Sequence, residues 1–467
     1  MKRPVAAATL SALFFVAPRA RSQQTPVVPV SPESERPVEP PAVVVPPPFV
    51  PSAPSAAPAA QAEPPSIEKP GAPSAPALPS ESPAPPGTPD PAAQGGYFGG
   101  SGGGFVLRTE NKSYRLRIGL QSALRGQVRF REGEDPRVAN PFMTLRPLIE
   151  GNIFKKWIRF WTSLELASNP TYLLDSYVEI QPLDLLGFRL GQQWTPFSRH
   201  EAIYGPMDLL LPDWDVVADY FWSGRDKGAT IFGATTDQVF DYAVGAYLGS
   251  PLRQFEPIHG NYLFVGRVGL NPLGPVGSEF AYTDAAKPAP VRLALGANGY
   301  ASKATSSVEN FNPSTFKFET TVTGETTINQ AGGADVFLVT PRVVSLVEGY
   351  VRRTDPGKGA PKYTSAGGFA QVGVLLYERE LDASVRFSLA DVNLDKSNDV
   401  GYGIEACGTW YLHAPQVFFK ARYAFGHQQL PASVSTNDAG QMFSGGAPLI
   451  IPPGSVHVVT LQVNTSL

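Results

Sequence analysis

Between Tyr114 and Phe130 the chain reads YRLRIGLQSALRGQVRF, and its arginines recur on alternating positions. Arg115, Arg117, Arg125 and Arg129 share one parity with Gln121 and Gln127. Tyr114, Leu116, Ile118, Leu120, Leu124, Val128 and Phe130 share the other, broken only by Ser122 and Gly126. Successive side chains of a strand point to opposite faces, so this segment carries a row of guanidiniums on one face and apolar groups on the other. Such a row attracts anions or pairs with carboxylates. The same parity argument puts Arg189, Arg292, Arg386, Lys420 and Arg422 on polar faces of later segments; in VFFKARYAF, for example, Lys420 and Arg422 oppose Val417, Phe419, Ala421 and Tyr423. Arg267, Arg342 and Arg352 are assigned to the polar face too, on strands that alternate less cleanly. Glu165, Asp175, Glu179, Asp241 and Glu348 share it, so some of these cations are expected to pair across strands.

Other chemistries find no matching residues. The five histidines, His200, His259, His413, His427 and His457, are scattered, and none stands at a metal-ligand spacing from Cys407, the single cysteine. There is no nucleophile elbow and no phosphate loop: the glycine runs at 95–104 are not followed by Lys-Ser/Thr. His200-Glu201 reads as solvated loop. No enzymatic activity and no cofactor are therefore expected. The net charge of −3 divides unevenly, with basic residues at the extreme N-terminus, an acidic excess in the next seventy or so residues and a nearly neutral remainder. Any electrostatic preference must come from placement, and nucleic-acid binding has no support.

The elements that would hold these charges are strands. No segment approaches the eighteen or so apolar residues of a membrane helix, whereas alternating stretches recur from residue 106 to 467. Some connections are very short (FKKW, TTDQ, ERE, HAPQ), and they alternate with long polar ones at 250–260, 354–366 and 426–455. Short turns on one rim and long loops on the other, with strands of ten or more residues, predict a transmembrane antiparallel β-barrel. A charge facing lipid at mid-bilayer costs roughly 2–4 kcal/mol, so the cationic parity faces the lumen. Counting gives 16 strands if 303–333 is mainly loop and SEFAYTD (278–284) a strand, and 18 if TFKFETTVTGET and its successor also cross. Trp157, Trp161, Trp194, Trp410, Tyr411, Tyr423 and Phe425 fall near strand ends, where aromatic rings favour the membrane interface.

Ahead of this barrel, residues 1–22 read as a secretory signal peptide, with Lys2 and Arg3 before the apolar VAAATLSALFFVA. Residues 23–94 are Pro-rich and too poor in apolar groups to form a core, so a disordered periplasmic linker is expected. A Gly-rich joint, 95–105, closes it. An exported chain whose single cysteine allows no internal disulfide suits the outer membrane of a Gram-negative bacterium.

The block 114–284 resembles the phosphate-selective porin O and P family. The residues that carry the resemblance are LRPLIEGNIFKKWIRFWTSLEL, DSYVEIQPLDLLGFRLGQQWTPFSRHE and above all RLGQQWTPFS (189–198). Later matches are GRVGLNPLGP, LVEGYVRR and GGFAQVGVLLYERELDASVRFSL. The resemblance implies a trimeric outer-membrane channel that passes small anions, with phosphate preference in some members. The segment SRHEAIYGPMDLLLPDWDVVADYFWSGRDKG (198–228) then corresponds to a constriction loop. Its acids Asp208, Asp213, Asp215 and Asp219 would oppose phosphate, and its bases Arg199, Arg225 and Lys227 lie near its ends.

The expectation is thus an outer-membrane porin for passive diffusion of small hydrophilic solutes. It would be a homotrimer surrounded by outer-membrane lipid, with a preference for small anions of the phosphate type. The alternative is a structural or anchoring barrel whose Pro-rich segment contacts peptidoglycan or a periplasmic partner.

Overall fold

The computed structural model describes residues 104–111, 113–131, 133–139, 142–167, 171–203, 209–249, 258–276, 290–312, 317–377, 380–397, 399–413, 416–428 and 454–466. The expected signal peptide, the Pro-rich linker and nearly all of the glycine joint lie outside the described residues, as does Asp208.

Alternation along the chain is realised as strands. They are β1 (Phe105–Arg108), β2 (Arg115–Arg131), β3 (Glu134–Ala139), β4 (Phe142–Asn152), β5 (Ile158–Glu165), β6 (Tyr172–Leu183), β7 (Leu186–Trp194), β8 (Arg225–Ala234) and β9 (Phe240–Tyr247). There follow β10 (Tyr262–Leu270), β11 (Arg292–Asn312), β12 (Lys317–Val339), β13 (Val343–Asp355), β14 (Tyr363–Tyr377), β15 (Leu381–Asp391), β16 (Val400–His413), β17 (Val417–Gln428) and β18 (Gly454–Ser466). Neighbours pair antiparallel, and β18 pairs with β17 on one side and with β2 on the other. The ring of β2 and β4 to β18 is therefore a closed 16-strand barrel. Two extra strands attach to β2: β1 at Arg115–Ile118 and β3 near Arg131. Closure satisfies every strand edge of the ring, which a sheet in lipid requires.

The faces separate as the parity argument predicts. Along β2, Ile118, Leu124 and Phe130 are 44, 50 and 42% exposed on the outside, whereas Gln121 and Arg125 are 5 and 4% exposed on the inside. Leu190, Val244, Phe264, Val351, Phe387 and Leu461 extend the exposed apolar belt around the barrel. Water would not tolerate so large a patch, whereas lipid favours it. No helix among the described residues is long and apolar enough to cross a membrane; the crossing elements are strands.

Four expectations need correction. The number of strands is 16, but 303–333 is not loop: β11 and β12 pair to their tip, from Arg292↔Val339 to Asn312↔Lys317. SEFAYTD lies outside the described residues, and the ring is counted without it because β10 pairs directly with β11. The short-turn rim has an exception in the connection 271–291, which is long. Finally, Trp157, Trp410 and Tyr423 are exposed, but Trp161, Trp194 and Tyr411 are buried inside the barrel and cannot belong to an interfacial girdle.

Candidate functional site

The connection between β7 and β8 runs from Thr195 to Gly224 and folds inward. Alternation on β7 ends after Gly191, whose φ of +132° is glycine territory, and Gln192, Gln193 and Trp194 are all buried. Two short helices follow, α1 (Arg199–Ile203) and α2 (Val216–Phe221). Asp215 caps α2 by accepting from the backbone N–H of Val217 at 2.8 Å and of Ala218 at 3.2 Å.

Apolar packing holds one side of this loop. Phe197, Val217 and Phe221 are buried against the inner faces of β11 to β14, where Phe337, Leu346, Tyr350 and Phe369 point inward, and Leu209, Leu210 and Leu211 are buried in the same apolar cluster. Phe197 meets the Tyr300 ring edge-on at 4.9 Å, and Phe221 stacks on Tyr350 at 5.4 Å. The periodicity argument reserved the inner face for polar groups and missed this half.

Ionic contacts hold the tip on the other side. Arg125 on β2 donates to both oxygens of Asp213, at 2.9 and 2.8 Å, and to the Pro212 carbonyl at 3.0 Å. Arg422 on β17 reaches Asp213 at 2.9 Å and Glu405 at 2.9 Å. Arg386 on β15 pairs with Glu405 at 2.6 Å and Asp215 at 3.2 Å, and donates to the carbonyls of Asp213 and Trp214. The Lys420 ammonium donates to the carbonyls of Leu209 and Leu211. Four of the basic groups assigned by parity thus converge on Leu209–Asp215. At the root, Ser198 donates to Glu348 at 2.8 Å, and Asp335 accepts from Arg199 at 2.5 Å and pairs with Arg267 at 2.6 Å.

The remaining assigned residues divide further. Arg352 donates to the Tyr220 carbonyl at 2.7 Å and lies over the Tyr220 ring at 4.2 Å. Arg117 pairs with Glu150 at 3.1 Å, and Arg189 with Glu179 at 2.6 Å. Arg115 and Arg129, on the inward parity of β2, are half-buried and have no ion pair among the described residues. Arg292 opens β11 at the short-turn rim and donates to the Leu273 carbonyl. Arg342 is a correction: it occupies the turn between β12 and β13 and is exposed, so it lines no part of the lumen wall. Its parity was extrapolated past the end of a strand. Among the cations of inward parity that were not singled out, Arg146 pairs with Glu165 at 2.8 Å, Arg159 with Glu179 and Arg131 with Glu134. Arg159 has the same parity as Glu165 on β5, and that signal was available.

Among the described loop carboxyls, Asp213 and Asp215 are not the free obstacle that their sequence suggested. Burial alone would raise the pKa of Asp213, but Arg125 and Arg422 outweigh it and hold the carboxyl below the usual carboxylate range. Asp219 is pushed up to about 7 by burial and by Asp215 and Asp213. Burial, with Asp219, Glu348 and Asp215 nearby, raises Glu201 well above an ordinary glutamate. Arg225 pairs with Asp175 at 3.0 Å and lies 3.7 Å over the Trp194 ring. No group of three or more His, Cys, Asp or Glu among the described residues is placed to hold a metal ion.

No family model and no curated protein matches the chain, so the resemblance to phosphate-selective porins rests on the quoted residues alone. Solved structures do match. An anion-selective porin from Comamonas acidovorans superposes with a TM-score of 0.52 at 11% identity, over 76% of this chain and 100% of that one. OmpT of Vibrio cholerae, expressed in the outer membrane, gives 0.50 at 11% identity over 78% of this chain and 100% of its own. The in-vitro folded form of OmpT, an outer membrane protein of Vibrio cholerae, gives 0.50 at 10% identity over 78% and 99%. At such identities the likeness concerns the fold, and the chain has the barrel fold of outer-membrane porins.

Proposed function

We propose that the protein is a passive channel of a bacterial outer membrane, admitting small hydrophilic solutes with a preference for anions. One observation carries this reading. A closed barrel with an apolar outer belt turns most of its strand arginines inward and uses three of them to fix an inward loop at mid-wall. An element so placed narrows a lumen, and basic groups around a narrowed lumen lower the barrier to negative charge. Diffusion through a water-filled barrel needs neither cofactor nor catalytic group. Preference for phosphate over other anions, a trimeric assembly, export by the first 22 residues and contact of the Pro-rich segment with peptidoglycan extend the same proposal.

Reversal potentials in planar bilayers under a potassium chloride gradient test it, followed by phosphate against chloride. The expected sign is that of an anion-selective channel. A non-conducting or cation-selective protein overturns the reading.

A further inference from the structure

We infer that anion discrimination is made at the short-turn mouth, by an arc of arginines across β2 to β7, and not at the inward loop. This rests on the channel reading above and assigns it a site.

At the loop tip the guanidiniums are compensated. Arg125, Arg386 and Arg422 share Asp213, Asp215 and Glu405 at 2.6–3.2 Å, which leaves little charge for a passing ion. The short-turn end of β2 is different. Arg115 stands opposite Asn152 on β4, Asn152 opposite Arg159 on β5, Arg159 opposite Glu179 on β6, and Glu179 opposite Arg189 on β7. These five registered positions share the inward parity, and three of them are arginine.

Their single carboxylate is divided between two partners. Glu179 accepts two hydrogen bonds from Arg189, at 3.0 and 2.6 Å, and one from Arg159, whose second partner is the uncharged Gln181 at 2.8 Å. Arg115 has no counter-ion among the described residues, and the next inward arginine, Arg117, is balanced by Glu150. The arc therefore carries a surplus of positive charge. Asn152 and Arg159 flank the turn 153–157, which itself contains Lys155 and Lys156.

The opposite wall is mostly apolar at this end, and Asp241 on β9, which accepts from the Asn271 amide at 2.9 Å, lies beyond the arc. At the same end β12 to β17 turn Val339, Val344, Leu375 and Phe418 inward, and one acid on that wall, Asp382, is buried and accepts from the Tyr411 hydroxyl. Basic groups facing an apolar wall concentrate small anions on one side of an aqueous mouth, with the field least screened where the walls exclude water. A solute with a compact negative charge, such as chloride or a small oxyanion, is what such an arc favours.

The test uses the full chain in bilayers with Arg115→Cys on a Cys407→Ala background, modified after insertion by charged methanethiosulfonates. Because the channel is already folded, the reagent alters charge without altering assembly. The positive ammonium reagent should restore the wild-type anion preference, and the negative sulfonate reagent should reduce the anion-to-cation permeability ratio by about threefold or more at moderate salt. Arg159→Gln should lower it as well. A ratio at position 115 that is the same with either reagent, in a protein whose wild type prefers anions, overturns the arc alone. A wild type without anion preference overturns the reading beneath it.

Discussion

Replacing Asp213 by Asn probes how the inward loop is held. Its carboxylate accepts from Arg125 through both oxygens and pairs with Arg422. The amide keeps the shape but leaves two guanidiniums without their shared counter-ion. Hydrogen bonds to charged groups contribute about 1.5–3 kcal/mol in interiors. With 24% of the Asp213 side chain open to solvent, ~2 kcal/mol is a fair value for the set. Three buried apolar side chains, Phe197, Val217 and Phe221, hold the loop against the β11–β14 wall, at roughly 1.5–3 kcal/mol each, about 7 kcal/mol together. Losing ~2 kcal/mol shifts the equilibrium of the tip roughly thirtyfold without freeing the root.

The substitution also adds one positive charge to the lumen. An ion passing about 6 Å away in water feels about 0.7 kcal/mol, attractive for an anion and repulsive for a cation. Screening at about 0.1 M salt roughly halves this, so the permeability ratio should move toward anions about threefold. Single-channel recording should show flicker between closely spaced levels, with mean conductance changed less than about twofold. Reversal potentials report the ratio. A quiet channel with an unchanged ratio would refute the ionic fastening. A steadily wide-open channel would refute the apolar one.

Other outcomes follow from the same geometry. Phe221→Ala removes a ring stacked on Tyr350 and should cost about 3–5 kcal/mol, read as a lower temperature for conversion of the folded to the unfolded band in detergent gels. Phe264→Arg puts a charge on the outer face of β10 and should cost roughly 2–4 kcal/mol of folding yield into lipid vesicles, whereas a water-facing site would tolerate it. Asp219 binds a proton up to about pH 7 in the folded loop, while the unfolded chain releases it near the ordinary carboxylate value. Its raised pKa means that loop stability declines as pH rises through that window. Current noise and protease clipping of the loop should therefore be greater at pH 8 than at pH 5, and Asp219→Asn should flatten the difference.

The outer surface was legible in the sequence because lipid enforces a strict period, and β2, β15 and β17 show it. β12 was not legible. KFETTVTGETTINQ has only Phe318, Val322 and Ile328 on its apolar parity, diluted by threonine and glycine, and beyond Lys303 and Ile328 the β11–β12 hairpin pairs only with itself. Ion pairs were illegible for a different reason: they depend on register. Glu405 meets Arg386 because those two residues are opposed on β16 and β15, and a slip of one residue would part them. The loop acids were misread because a carboxylate in a sequence looks free until the wall around it is known.

The inward loop is held by two kinds of force that respond differently to its surroundings. Apolar contact with β11–β14 is indifferent to salt and pH, and it sets where the root of the loop lies. The contacts of Asp213 and Asp215 with Arg125, Arg386 and Arg422 are electrostatic, border on an aqueous lumen and weaken as ions enter. Their strength comes from forked guanidiniums that reach carboxylate and carbonyl together, a geometry that lysine could not reproduce. The number of arginines inside such a barrel is therefore a poor guide to its charge. Those that the loop consumes contribute position, and those that it leaves uncompensated, Arg115 and Arg129 among the described residues, contribute field.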